Sequence, residues 1–438
     1  METIFSLVTK PINQNVAIIR ISGPETFDIV KEIIPNWEPQ QNKVVLQRVS
    51  DKEGKFLDEI LVLSFVAPNS FTGENVVELQ THGNNILVSK FISILSEKGA
   101  RQSLPGEFSK QAFENGKIDL SQSVAINTLI NSNNEMLVEQ STKSLSGEQT
   151  NFINGFISDL SEIISRMQVA IDYPENTDLP KYSVQGIKQL IIERILDAEK
   201  VIEQSNKLIK VSKGVSIAIV GVPNAGKSTL LNAISKEDRA IVSDIAGTTR
   251  DVVEQQLYLN GIKVTLQDTA GVRTNTNDEI EAIGIEKTKD YAEKADIILL
   301  VVDGNEDVAT QEEIFKDILM KENVIRVASK SLDINGYLTI NAKDGKIENL
   351  IEEIESYIKF KLSPDTEEPL LISKSQSTES EEIISSLNEA KKMLEEGHPE
   401  DIVMFELENA LVYAGNIIGK TIDQEYMTNL FANFCIGK

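Results

Sequence analysis

"GVPNAGKST", residues 221–229, fits the pattern G-x-x-x-x-G-K-[ST] and lies between the apolar run "VSIAIVG" (215–221) and the helix-like "TLLNAIS" (229–235). Strand, glycine loop, then helix is the context in which a phosphate loop works. Gly226 lets the backbone wrap a phosphate chain, Lys227 reaches the β and γ oxygens, and Ser228 offers a hydroxyl to Mg²⁺. The helix N-terminus adds positive potential. Asn224, Ala225 and Thr229 complete this candidate wall of a nucleotide site.

A second wall follows. "DTAGV" (268–272) ends the strand-like "IKVTLQD" (262–268). Asp268 can orient Mg²⁺ through water, and the Gly271 N–H can meet a γ-phosphate, with Thr269 and Ala270 between them. The intervening loop "SDIAGTTRD" (243–251) adds Ser243, Asp244, Ile245, Ala246, Gly247, Thr248 and Thr249 as candidate contacts. Together the three segments predict a GTPase-type triphosphate site. Ras-type enzymes place a water-orienting glutamine after D-T-A-G. Here the residue is Val272, so the attacking water needs another holder.

Outward from the loop, "VVEQQLYL" (252–259), "DIILLVVD" (296–303) and "NVIRVAS" (323–329) read as mostly buried strands alternating with helices. That pattern predicts an inserted P-loop domain over 213–361 with a largely parallel α/β sheet. Residues 1–117 mix "VAIIRIS" (16–22), "KVVLQRV" (43–49), "EILVLSFVA" (59–67) and "NVVELQTH" (75–82) with one helical stretch, 86–99, that stops at Gly99. They predict an α+β domain. Residues 118–212 are helical, with Ile187, Leu190, Ile191, Ile195, Ala198, Val201, Ile202, Leu208 and Ile209 on one stripe. Before that stripe, 171–180 reads as a proline-containing turn. The polar stretches "SPDTEEP" (363–369) and "SKSQSTESEE" (373–382) read as linker or exposed loop, and the chain turns helical again from 380. The expected architecture is multidomain: α+β, then a helical domain (118–212 and 362–438) interrupted by the α/β insertion.

Composition narrows the function. No run of 18 apolar residues exists, so no membrane span is expected, and "METIFSLVTKPINQNVAIIRISG" (1–23) lacks signal-peptide organisation. The expected location is the cytoplasm. A net charge of −25 argues against a broad basic surface, so an RNA partner needs a local basic patch or a second protein. Cys435 is the single cysteine and cannot close an internal disulfide. Three readings stay open for it: inert packing, prenylation (poorly matched by Gly437 and Lys438), or a reactive thiolate beside a cation such as Lys438.

"NAGKST" (224–229), "AIVSDIAGTTRD" (240–251), "DTAG" followed by "IEAIGIE" (280–286), and the terminal "FCIGK" (434–438) resemble the MnmE (TrmE) family of tRNA-modification GTPases. "RISGP" (20–24), "GENVVELQTHG" (73–83) and "PGEFSKQAFENGKIDLSQ" (105–122) resemble its N-terminal motifs. The resemblance covers the whole chain. It implies a homodimer joined through a folate-binding N-terminal domain. It also implies a flavin-dependent MnmG-like partner, in a heterotetramer or larger complex, and tRNA as substrate. The implied activity is K⁺-stimulated GTP hydrolysis. It is coupled to addition of an aminomethyl or carboxymethylaminomethyl group to C5 of the wobble uridine, with a one-carbon unit from 5-formyl- or methylene-tetrahydrofolate. By the same resemblance, Asn224, Ser243, Ile245 and Thr248 hold K⁺, Ser228 and Thr249 hold Mg²⁺, and Glu281 orients the attacking water. Lys227 is then catalytic, Arg20, Glu78, Lys117 and Lys438 contact folate, and Cys435 lies near the one-carbon chemistry.

The chain departs from that family in three places. Where N-K-x-D reads guanine, it has "SKSLD" (329–333): Lys330 is in register, Ser329 replaces the asparagine, and Leu332 replaces the aspartate, with Asp333 one residue late. Loss of a charged acceptor lowers guanine preference by about one to two decades. Asn341 alters the later S-A-K loop. "KPINQN" (10–15) replaces a glycine-rich stretch, and His82-Gly83-Asn84 replaces H-G-G. Two alternatives to the modifying GTPase are a GTPase switch or assembly factor that binds RNA or ribosomes without chemistry, and a scaffold with relaxed guanine specificity.

Overall fold

A computed structural model describes residues 2–172, 184–236, 253–259, 261–268, 291–330, 334–364 and 367–421, with 427, 430–432, 434 and 437. The chain divides into two compact units. The first comprises Met1–Ile130, Ser141–Ala198 and Thr378–Lys438; the second comprises Asn131–Gln140 and Glu199–Ser377.

In the first unit, strands β1 (Ile4–Leu7), β2 (Gln14–Ser22), β3 (Lys43–Ser50), β4 (Phe56–Phe65), β5 (Val76–Gly83) and β6 (Arg101–Gln102) form one sheet in the order β3-β4-β5-β2-β1-β6. Period-two alternation sends Ala17, Ile19 and Ile21 of β2, Ile60 and Val62 of β4, and Val77 and Leu79 of β5 into one core. Helix α1 (Thr26–Ile33) closes that core with Ile29 and Val30, and α2 (Asn85–Glu97) with Val88, Phe91 and Leu95. Asn84 has a structural use here: its side chain accepts from the N–H groups of Ile86 and Leu87 and so caps α2. Asn13, in the segment that replaces the glycine-rich stretch, accepts from the Asn85 N–H at 3.1 Å. The opposite sheet face carries Arg20 and Glu78, directly paired across β2 and β5. Helix α3 (Glu107–Glu114) follows β6, and Phe108 and Gln111 of α3 are buried.

Four helices come next: α4 (Leu120–Asn131), α5 (Glu135–Leu145), α6 (Glu148–Asp172) and α7 (Val184–Lys213). On α7 the expected stripe is turned inward: Ile187, Ile191, Ile195, Val201, Ile202 and Leu208 are buried. Helix Glu400–Ile418 packs along α6, and its Ile417 carbonyl accepts from the Ser121 hydroxyl at 3.0 Å.

In the second unit, β7 (Val215–Val220), β8 (Val253–Leu259), β9 (Ile262–Asp268), β10 (Ile297–Asp303), β11 (Val324–Ser329) and β12 (Leu338–Ile340) form a sheet ordered β12-β11-β10-β7-β9-β8. All neighbours are parallel except β8, which pairs antiparallel with β9. Every residue of β10 is buried, the signature of a strand covered on both faces. Helix α8 (Lys227–Ser235) and the later α9 (Val308–Ile314), α10 (Lys316–Leu319) and α11 (Glu348–Tyr357) complete the described α/β unit.

Two expectations change. Residues 374–382 are not loop; they open the helix Lys374–Glu396. Their polar side chains are consumed locally. The Ser373 hydroxyl accepts from the Gln376 N–H at 3.3 Å, and Gln376 Oε1 accepts from the Ile372 N–H at 3.0 Å. Ser377 donates to Asn206 Oδ1 at 3.0 Å, and Gln376, Ser377 and Ser380 are all buried. Ser-x-x-Gln is a capping-box pattern, so polarity here marks a helix start. Of the expected turn at 171–180, Ile171 and Asp172 belong to α6, and 173–180 lie outside the described residues. Among the described residues, no helix is long and apolar enough to cross a membrane.

Candidate functional site

The phosphate loop joins β7 to α8. Two of its residues adopt left-handed backbone: Asn224 at φ 62° and Gly226 at φ 99°. Such alternation turns successive N–H groups toward one point and makes a concave anion cradle. Gly221 lies so close to the Val301 carbonyl oxygen that a Cβ there would collide with it. Lys227 is buried and opens α8; its Nζ donates to the Gly221 and Val222 carbonyls, each at 2.8 Å, and so spans the loop. These features fit a nucleotide phosphate chain: a close backbone, a buried cation and a helix N-terminus converge. Ser228 is exposed and Thr229 half-buried on the first turn of α8.

The strand ends bring the other candidates to the same edge. Asp268 closes β9 and pairs with Ile219, two residues before Gly221. Asp303 closes β10 opposite Ser329, the last residue of β11. Ligands of open α/β sheets bind outside the carboxyl ends of the strands, where strand order reverses, and β7 stands between β9 and β10. Lys330, at φ 62°, donates through Nζ to the Asn224 carbonyl at 2.7 Å and to Asp303 Oδ2 at 2.5 Å. Its bond holds the Asp303 carboxyl below the usual carboxylate range against the opposing effect of burial, with help from the Asn305 N–H. A depressed carboxylate contributes stability above the ordinary carboxylate pKa and loses it as pH falls through the lower folded value. The tie therefore persists at neutral pH.

Ser243, Asp244, Ile245, Ala246, Gly247, Thr248, Thr249, Thr269, Ala270, Gly271, Glu281, Leu332 and Asp333 lie outside the described residues. So do Cys435 and Lys438.

In the first unit, Arg20 and Glu78 meet. Arg20 Nε and Nη2 contact Glu78 Oε1 at 2.9 and 2.8 Å, and the guanidinium lies 5.8 Å from the ring centroids of both Phe71 and Phe108. Below it, Ser22, Thr72 and Gln111 form a buried hydrogen-bonded set at 2.8 and 2.9 Å. The Gly437 carbonyl lies 3.5 Å from Arg20 Nη1. Phe431 and Phe434 pack together at 5.0 Å, and Gly106 leaves room for them: a Cβ there would come within 2.5 Å of the Phe431 carbonyl. Lys117 stands apart from that pair among the contacts described; its Nζ donates to the Pro68 carbonyl at 3.0 Å. Sequence reasoning did not single out Phe71, Phe108, Asp303 or Gln111. An aromatic directly after the G-E of "PGEFSK" gave no signal separable from ordinary core.

Two family models match: the N-terminus of the GTP-binding protein TrmE over residues 3–117, and the MnmE helical domain over residues 120–435. The tRNA modification GTPase MnmE of Ureaplasma parvum serovar 3 (strain ATCC 27815) is 35% identical over 442 aligned residues, covering 100% of both chains. The MnmE of Mycoplasma mycoides subsp. mycoides SC is 36% identical, covering 100% of this chain and 99% of its own. That of Thermotoga maritima is 34% identical over 100% of both chains. The chain belongs to the MnmE family. This is a family of GTP hydrolases, and the MnmE match spans both the sheet that holds Arg20 and the loop that holds Lys227.

Gly221→Ala tests the cradle. Relief of its clash must displace either the loop or β10, at a cost of about 1–3 kcal/mol. The expected outcome is a folded chain whose GDP affinity falls at least about tenfold. Parent-level GDP binding by this variant would contradict the geometry.

Proposed function

We infer that the chain hydrolyses GTP in the service of tRNA wobble-uridine modification. The observation that carries this reading is the left-handed Asn224 and Gly226 around the buried Lys227, in a chain matched to MnmE proteins from end to end. The loop N–H groups and Lys227 bind and orient the phosphates. Ser228, Thr249 and, through water, Asp268 would hold Mg²⁺. Asn224, with groups at Ser243, Ile245 and Thr248, would hold K⁺, whose charge would supply the stabilisation that an arginine finger gives to developing phosphoryl charge. Glu281 orients the attacking water, a role that Val272 cannot perform.

In the first unit, Arg20, Glu78, Lys117 and Lys438 would hold a 5-formyl- or methylene-tetrahydrofolate, which supplies the one-carbon unit. The aromatic-flanked Arg20 and its nearby Gly437 support that placement. Cys435 would lie at that site as the single thiol. The sheet face bearing Arg20 also exposes Val44, Leu46 and Leu61, at 51%, 58% and 40%. Leu46 and Leu61 are cross-strand neighbours. An apolar patch of this kind supports a homodimer through this unit. A flavin-dependent MnmG-like protein completes the complex, in the cytoplasm, and tRNA is its substrate.

Two outcomes are expected. GTP turnover should be faster in KCl than in NaCl, and Asn224→Ala should erase the difference; equal rates for the parent chain would refute the cation role. Deleting the gene in its host should remove the C5 modification of wobble uridine, read by mass spectrometry of tRNA nucleosides. Unchanged nucleosides would leave a GTPase switch as the better reading.

A further inference from the structure

The second unit carries a cavity of about 520 Å³ that shares no residue with the phosphate loop. Its apolar floor comes from Met136 of α5, Leu259 and Ile262 on either side of the β8–β9 turn, and Ile358. Leu259 and Ile358 are buried, and Met136 and Ile262 pack against the core of the unit. Ile262 opens β9 and Asp268 closes it, so at the rise of a strand this wall lies about 20 Å from the nucleotide edge.

The rest of the lining is acidic. Glu135 and Glu139 of α5 and Glu352 and Glu355 of α11 face the cavity, with a single lysine, Lys359. Glu135, Glu352 and Glu355 form no ion pair among the described residues. Glu355 Oε1 is buried and makes no hydrogen bond there, a costly state for a carboxylate oxygen. Lys359 stands four positions after Glu355, the spacing at which an α-helix joins such a pair. The chain, however, leaves α form at Ile358 for a π-helical turn, Ile358–Leu362, and Lys359 Nζ lies 5.5 Å from the centroid of the Phe360 ring instead. Single π turns occur often at functional sites.

We propose that this cavity binds an aliphatic polyamine, its ammonium groups on Glu355 and the neighbouring carboxylates and its methylene chain on the floor of Met136, Leu259 and Ile262. A primary ammonium brings three donors, enough to satisfy a carboxylate oxygen that the chain itself leaves unpaired. Its aliphatic stem covers apolar surface as a lysine stem does. A hydrated metal dication would balance the charge and leave the apolar floor uncovered, because Mg²⁺ gives up its water reluctantly. The site is independent of the nucleotide reading above.

Equilibrium dialysis of the full chain against labelled spermidine tests this, at near-physiological salt, where diffuse attraction to a net charge of −25 is screened. One saturable spermidine per chain is expected, and putrescine should displace it more effectively than an equal concentration of Mg²⁺. Glu355→Gln should weaken binding at least about tenfold, the worth of a charged hydrogen bond. Glu352→Gln, at an exposed position, should weaken it too and stands in if Glu355→Gln does not fold. Glu353→Gln removes the same charge from the same helix outside the cavity and should leave the parent affinity. Absence of saturable binding would overturn the proposal. An equal loss in Glu353→Gln and Glu355→Gln would do the same, as would displacement by Mg²⁺ as complete as by putrescine, since either outcome marks a counter-ion atmosphere only.

Discussion

The second unit is organised by a conflict in one loop. Binding a phosphate chain requires several N–H groups to face one point. That demand forces left-handed backbone at Asn224 and Gly226 and drives neighbouring carbonyls outward. Such carbonyls need donors from elsewhere in the fold. The parallel sheet provides them because β10 and β11 end in register, Asp303 opposite Ser329, beside the strand that launches the loop. Burial of all of β10 fixes that edge, and the same closeness leaves no space for a Cβ at Gly221. Site geometry and sheet topology are here one constraint.

The first unit solves a different problem, which is how to fix an arginine on a sheet face that is in part exposed. Arg20 is kept by three neighbours: the Glu78 carboxylate across the strand pair, and the Phe71 and Phe108 rings near its guanidinium. A guanidinium can use its plane for aromatic contact and its edge for a carboxylate, which a lysine cannot do. With those bonds made, Arg20 is a fixed feature of the surface against which the Gly437 backbone lies. Gly437 itself sits at φ 89°, close to β1.

Much of this was legible because the signals are local. Glycine spacing before a helix marks the phosphate loop, and unbroken apolar runs mark strands buried on both faces. The stripe on α7 was readable for the same reason. Other features depend on distant partners. The Ser329 hydroxyl bonds a carbonyl 104 positions away, so the sequence showed only that an asparagine was missing. β1 spans four residues and holds its place by pairing with β2 and β6, leaving too short a pattern to read. The polar run after Ser373 looked like a linker because serine and glutamine suit loops, but here they cap a helix and bury. Within the candidate site, Asn224, Ala225, Gly226, Lys227 and Lys330 come together, and Arg20 meets Glu78; Lys117 bonds a backbone carbonyl instead.

The central claim is that one preset loop, closed by one buried lysine, binds a guanine nucleotide. Calorimetric titration of the chain with GDP, beside the variant Lys227→Ala, tests it most directly. The account predicts one GDP per chain. It also predicts that removing the buried ammonium weakens binding by roughly ten- to a hundredfold, the worth of a charged hydrogen bond to phosphate. No heat of binding in the parent chain, or equal affinity in the variant, would contradict it.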